Sequence, residues 1–243
     1  MSRAMTDEPV IRVVDLRKVL GSTVVLDAVN LEVRAGEAVA ILGANGAGKT
    51  TLLRILATLC RPTRGSAIVA GFDSARDPAR VRAQVGFVGH GTLVYDGLTA
   101  LENLRFWSVL AGLSVDATRL RAVLAMVDLD GVAEDRARSF SAGMKRRLAL
   151  ARALVGTPRI LLLDEPFASL DQRASKWLEN HLQEFKSGGG TVVLVTHSFG
   201  RGLDVADRIA ILSGGRVAAD VPRAHLSGDD VGRLYALHTE DAP

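Results

Sequence analysis

Residues 43–50 read Gly43-Ala44-Asn45-Gly46-Ala47-Gly48-Lys49-Thr50, with Thr51 directly behind, and fit the pattern G-x-x-x-x-G-K-[ST]. The chemistry this spacing suits is the holding of a polyphosphate. Glycines let the backbone wrap closely round phosphate oxygens with its N–H groups turned inward. A helix that follows adds unpaired N–H groups and the positive end of its dipole. Lys49 brings a compact charge to the outer phosphates, and the Thr50 hydroxyl suits the shell of a Mg²⁺ ion. Further on, Ile160-Leu161-Leu162-Leu163-Asp164-Glu165 is an apolar run that ends in two adjacent carboxylates. One of the two can hold Mg²⁺ through water, and the other can orient and deprotonate an attacking water. Strand alternation sends them in opposite directions. His197 follows another apolar run, Val192–Thr196, where it can reach both a γ-phosphate and Glu165.

Positioning such groups calls for a parallel sheet, because ligand sites in α/β proteins form at the carboxyl ends of the strands. The pattern agrees. Val10–Val14, Leu31–Val33, Ala38–Leu42, Ala67–Ala70, Val85–Val88, Ile160–Leu163, Val192–Thr196 and Ile209–Leu212 read as strands, with Val217–Ala219 as a last one. Helical spacing covers Thr50–Leu59, and Gln172–Lys186 reads as a helix stopped by Gly188-Gly189-Gly190. From about Leu98 to Val155 strand signals vanish, and Leu101–Leu110, Asp116–Val127 and Ala142–Val155 read as helices of an insertion. Asp229–His238 closes the chain as a helix.

The chain of 243 residues is 48% hydrophobic and 23% charged, which excludes a mostly disordered protein. No apolar run approaches the ~20 residues of a spanning helix, and Met1–Pro9 lacks a signal-peptide core. One cysteine, Cys60, excludes an internal disulfide framework and a cysteine-cluster metal site. The net charge of +3, from 30 basic and 27 acidic residues without a single-sign block, is that of a mixed solvated surface. No nucleic-acid partner is expected.

Taken in order, these residues resemble the ATP-binding subunit of an ABC transporter. The phosphate loop is followed by Ser141-Ala142-Gly143-Met144-Lys145, which is similar to the family signature L-S-G-G-Q and opens a helix, then by Leu161–Pro166, by Ser169-Leu170-Asp171 and by His197. The resemblance runs from about Val10 to Ala219. It implies an α/β P-loop NTPase core with a small antiparallel β subdomain and a helical signature subdomain. The whole of 1–243 would be one ABC ATPase domain, with 91–157 as the helical subdomain and 220–243 as a variable tail. It implies ATP and Mg²⁺, with Glu165, His197 and Lys49 catalytic. Gly43, Ala44, Asn45, Gly46, Ala47, Gly48, Lys49, Thr50, Thr51, Leu20, Ser141, Gly143 and Asp171 would bind nucleotide, and Thr50, Asp164 and His90 would attend the metal. Two copies would sandwich two ATP molecules, each held by the phosphate loop of one and Ser141 and Gly143 of the other.

The sequence departs from the family pattern in three places. Leu20 stands where an aromatic often stacks on adenine, His90 stands in the place of the Q-loop glutamine, and Ala142 and Met144 alter the signature. Gly89-His90, the run Leu98–Phe106 and the Ser-Ala-Gly signature are similar to the haem-exporter ATPase of bacterial cytochrome c maturation (CcmA type). That resemblance implies a peripheral protein on the cytoplasmic face of the inner membrane with a permease partner, CcmB- or CcmC-like. It would drive haem export or the release of a haem-loaded chaperone. No Cys-x-x-Cys-His occurs, so direct haem binding is not expected. Drug and polysaccharide exporters also carry T-x-x-E-N-L and form the alternative. A soluble ABC ATPase and a weakly hydrolysing regulatory module are further alternatives.

Overall fold

The computed structural model describes residues 8–239 except 115, 169 and 198–201. Two sheets share the work. The first holds β1 (Ile11–Leu20), β2 (Thr23–Val33), β4 (Arg64–Val69) and β5 (Phe72–Asp73) in the order β2-β1-β4-β5, all antiparallel. The second has the order β10-β9-β3-β8-β7-β6, built from β3 (Ala38–Leu42), β6 (Val85–Val88), β7 (Ile160–Asp164), β8 (Thr191–Val195), β9 (Arg208–Ser213) and β10 (Arg216–Pro222). It is parallel except for β10, which returns antiparallel to β9.

The central strands β3, β7 and β8 are buried along their whole length, which explains their continuous apolar sequence. Their alternation divides the interior in two. Val39, Ile41, Ile160, Leu162, Val193 and Val195 face one core, packed with the antiparallel sheet and α1 (Lys49–Leu56). Ala38, Ala40, Leu42, Leu161, Leu163, Val192 and Leu194 face the other, packed with the helices. Those are chiefly α3 (Ala100–Leu110), α4 (Ala117–Met126) and α5 (Ala142–Leu154), which follow the short α2 (Pro78–Arg82), together with α6 (Gln172–Ser187) and α7 (Gly228–Thr239).

Between β6 and β7 the described residues hold only α3 to α5 and single 3-10 turns, so the strand-free stretch is helical as its spacing suggests. The sequence Thr99-Ala100-Leu101-Glu102-Asn103 starts α3 by a capping box. The Glu102 N–H donates to Thr99 Oγ1 at 3.1 Å, and the Thr99 N–H donates to Glu102 Oε2 at 2.8 Å. Buried Asn103 then pins the preceding loop, accepting from the Tyr95 N–H at 2.8 Å and donating to the Tyr95 carbonyl at 3.0 Å.

The hairpin β1–β2 is far longer than the two short strands expected at its ends. Non-glycine residues Asp15 (φ 44°) and Ala28 (φ 51°) lie at shifts of register, and charged Arg17 and Lys18 fill the outer part. The alternation that marks a strand is therefore interrupted midway. α1 stops at Leu56, short of Leu59, where Thr58 takes φ 64°. β10 runs on to Pro222, and α7 buries Val231 in the helical core. Cys60 is a free, half-buried thiol.

Candidate functional site

The loop between β3 and α1 holds its shape through two left-handed glycines, Gly46 (φ 85°) and Gly48 (φ 99°). At Gly48 the demand is also steric, because a Cβ there would lie 2.6 Å from Leu26 Cδ2 and 2.7 Å from the Val25 carbonyl oxygen. Gly48 is the N-cap of α1 and has no side-chain cap, so the first N–H groups of the helix open into the loop. Lys49 is buried and donates from Nζ to the carbonyls of Gly43 (2.7 Å) and Ala44 (2.9 Å). Burial pushes its pKa below the usual lysine range, while the nearby Glu165 and Asp164 carboxylates pull it back up.

Thr50 Oγ1 donates to Asp164 Oδ1 at 3.1 Å, joining α1 to the end of β7. Asp164 continues the side of β7 that carries Ile160 and Leu162, so its carboxylate points to the α1 core. Glu165 breaks the expected alternation. The strand ends at Asp164, Glu165 takes φ 50°, and both carboxylates line the same cleft. The Glu165 N–H donates to the Val195 carbonyl at 2.9 Å, and its Oε1 lies 2.8 Å from His197 Nδ1. His197 remains mostly solvent-accessible while Glu165 is largely enclosed.

One open cleft thus gathers Asn45, Gly46, Gly48, Lys49, Thr50, Thr51, His90, Asp164, Glu165 and His197. Val25 and Arg54 also line it, and no spacing pattern marks either in advance. Gly43 stands at the loop entrance, where a Cβ would strike the Leu212 carbonyl, and Ala44 and Ala47 are joined by a backbone bond of 3.2 Å. Leu20, expected at the base, is not among the residues lining this cleft. It pairs with Thr23 at the tip of the β1–β2 hairpin and is half exposed, and Val25 is the hairpin residue on the cleft.

Ser141, Gly143 and Asp171 form a second surface with Ala142, Met144, Arg147, Arg173 and Ala174, and no residue lining it also lines the first cleft. Ser141 is the N-cap of α5, its Oγ accepting from the Met144 N–H at 3.2 Å, which leaves its hydroxyl proton free to donate. Asp171 caps α6 through the Ala174 N–H at 2.7 Å. Ser169 lies outside the described residues.

Chemically, the first cleft offers a lysine and helix N–H groups to an anionic chain, with two carboxylates and a histidine at its far wall. Thr50 and Asp164 are hard oxygen donors of the kind that suits Mg²⁺, which commonly binds one or two carboxylates and takes its other ligands from phosphates and water. Among the described residues no group of three or more His, Cys, Asp or Glu could hold a metal alone. An imidazole at His90 is a poorer ligand for such an ion than an amide oxygen would be.

A model of the family described as ABC transporter matches residues 26–168. Daunorubicin/doxorubicin resistance ATP-binding protein DrrA of Streptomyces peucetius is 38% identical over 230 residues, covering 93% of this chain and 69% of that protein. Doxorubicin resistance ATP-binding protein DrrA of Mycobacterium tuberculosis (strain CDC 1551 / Oshkosh) is 39% identical over 202 residues, covering 82% and 61%. The chain therefore spans about two thirds of the length of these relatives. A solved dimeric ATP-binding cassette in a post-hydrolysis state, bound to ADP and Pi, is 28% identical with a TM-score of 0.77, covering 89% of this chain and 100% of that one. With a matching family model over more than half its length and the glycine loop, carboxylates and histidine in one cleft, the chain belongs to the ABC transporter family as an ATP-binding ATPase subunit.

Proposed function

We propose that the protein hydrolyses ATP to drive a membrane exporter of drug-like molecules, binding its permease as a peripheral subunit on the cytoplasmic face. The observation that carries the hydrolytic reading is the Glu165–His197 pair, 2.8 Å apart, on the same cleft as buried Lys49. The drug-resistance relatives favour the exporter alternative over the haem-maturation reading, which rested on Gly89-His90, the run Leu98–Phe106 and the Ser-Ala-Gly signature. Haem export and a CcmB- or CcmC-like permease are therefore set aside.

In this reading the triphosphate lies along residues 43–51, its outer phosphates met by Lys49 and the α1 N–H groups. Mg²⁺, held by Thr50 and Asp164 together with the phosphates, would neutralise charge on the β- and γ-oxygens. Glu165 accepts a proton from a water whose oxygen bonds to the γ-phosphorus. The bond from that phosphorus to the β–γ bridging oxygen breaks, and ADP departs with the electron pair. His197 holds the Glu165 carboxylate in place and faces the γ-phosphate. Asp164 and Glu165 keep separate tasks because one is tied to Thr50 and the other to His197.

The separation of Ser141 and Gly143 from the phosphate cleft supports a paired assembly in which each copy completes the other's site. A free hydroxyl proton and N–H groups at the start of α5 are anion donors looking for a phosphate. Residues 91–157 form the helical subdomain in this reading, and 220–243 a variable tail on a single 1–243 unit. The permease surface is the groove beside α3, where Trp107, Leu110 and Leu113 face Arg82 and Pro158 and would receive a short amphipathic helix. No helix among the described residues is long and apolar enough to cross a membrane.

The test is Glu165→Gln. It keeps the shape and removes the base, so ATP binding measured by titration persists while steady-state phosphate release falls ~10²-fold or more. Turnover within about threefold of the parent would remove Glu165 as the base.

A further inference from the structure

Arg146 lies on α5, five residues past Ser141, and lines no part of the phosphate cleft. It is 9% exposed, and among the described residues no carboxylate forms an ion pair with its guanidinium. Backbone carbonyls take its N–H groups instead. Nη1 donates to Gly89 at 2.9 Å, Nε to Pro166 at 3.2 Å, and Nη2 to Asp164 at 3.1 Å and Glu165 at 2.8 Å. Three of these carbonyls, those of Asp164, Glu165 and Pro166, belong to the turn at Glu165, whose φ of 50° is an uncommon backbone state. The fourth is that of Gly89, which precedes His90, a residue of the cleft lining.

We propose that Arg146 is a positioning residue for hydrolysis, fixing the left-handed turn at Glu165 and fastening it to the segment that carries His90. The inference rests on the reading of Glu165 as the base. Only a planar fork with donors on several edges can serve four carbonyls at once. Because the fork is rooted in the helix that Ser141 caps, the signature surface, the His90 segment and the Glu165 turn are held as one body. A shift of α5 on assembly would therefore be felt at Glu165 without any residue reaching across the cleft.

The test compares Arg146→Lys and Arg146→Gln in the full chain, with turnover counted per ATP site found by titration so that unfolded protein does not enter the rate. Lys keeps the charge and Gln keeps planarity, so the two fail differently if only packing matters. Misplacing a catalytic group by about 1 Å costs up to ~10² in rate. The expected result is therefore a ~10- to 10²-fold lower kcat in both variants with the ATP Kd within about threefold. In a Glu165→Gln background, Arg146→Lys should change the residual rate less than about twofold, because the group it positions is gone. Parent-like turnover in both Arg146 variants overturns the proposal. So does a loss that carries over in full to the Glu165→Gln background, or a loss of ATP binding equal to the loss of turnover. Normal turnover of Glu165→Gln alone defeats the reading of Glu165 and the inference resting on it, whereas parent-like Arg146 variants beside an inactive Glu165→Gln defeat only the role of Arg146.

Discussion

Lys49→Met separates what the lysine does for the ligand from what it does for the fold. With nucleotide bound as proposed, its Nζ would form a charge-assisted hydrogen bond to phosphate, worth about 1.5–3 kcal/mol. At ~1.4 kcal/mol per tenfold, the substitution should weaken ATP binding by roughly 10- to 10²-fold. The free protein is a different matter. There Nζ is satisfied by the Gly43 and Ala44 carbonyls, but burial opposes its charge and moves its pKa below the usual lysine range. A lysine whose pKa is lowered on folding destabilises the protein fully below that folded value, and the penalty fades as pH rises through it toward the unfolded one. Removing the charge relieves this penalty while the two carbonyls lose a donor. The terms oppose, so the nucleotide-free variant should keep its stability within about 1 kcal/mol, or ~2–4 °C in Tm. Titration calorimetry gives the first quantity and thermal melting without nucleotide the second. As pH rises toward the ordinary lysine range, the parent should gain stability relative to the variant. Unchanged ATP affinity, or a nucleotide-free Tm lower by about 10 °C, would refute the reasoning and make Lys49 a structural residue.

Thr50→Val removes the hydroxyl 3.1 Å from Asp164. The Mg²⁺-dependent gain in ATP affinity should shrink about tenfold, while binding in chelator stays unchanged, as titrations with and without the metal would read. Gly48→Ala places a Cβ 2.6 Å from Leu26 at φ 99°. It should cost about 2–5 kcal/mol by denaturant melting and abolish ATP binding. Asn103→Leu takes the side-chain partner from the partly buried Tyr95 N–H and carbonyl. Stability should fall about 2–3 kcal/mol, seen as a Tm lower by ~4–12 °C, with the ATP Kd unchanged in the folded protein.

Legibility in the sequence followed how local each cause is. The glycine loop was readable because every residue in it answers to one backbone demand, and it stands between the strand and helix its pattern implies. The buried strands were readable because a run such as Ile160–Leu163 has apolar neighbours on both faces. The β1–β2 hairpin was half hidden, since its register shifts at Asp15 and Ala28 scramble the alternation that would reveal it. Counting a family pattern through the same hairpin reaches Leu20 at its tip, while Val25, which lines the cleft, carries no such mark. Arg54 owes its place to the rotation of α1, and Arg146 serves carbonyls that every residue possesses. Neither leaves a mark in residue type.

The arrangement of strands explains why so few residues make a site that serves two tasks. β3, β8 and β7 are neighbours in that order, and all three end at the same edge. The middle strand ends in Val195 and delivers His197 between the phosphate loop on one side and the carboxylates on the other. Two backbone bonds fix this spacing, from the Thr196 N–H to the Ile41 carbonyl at 3.2 Å and from the Glu165 N–H to the Val195 carbonyl at 2.9 Å. Pleating then sends Asp164 toward α1, where Thr50 meets it. The left-handed step at Glu165 returns the next carboxylate to the same cleft, where strict alternation would have lost it. A residue with ordinary φ at that step would carry the second carboxylate away from His197. The strain at Glu165 is thus the local condition for two adjacent acids to act in one cleft, and the hydrogen bonds around that turn are what sustain it.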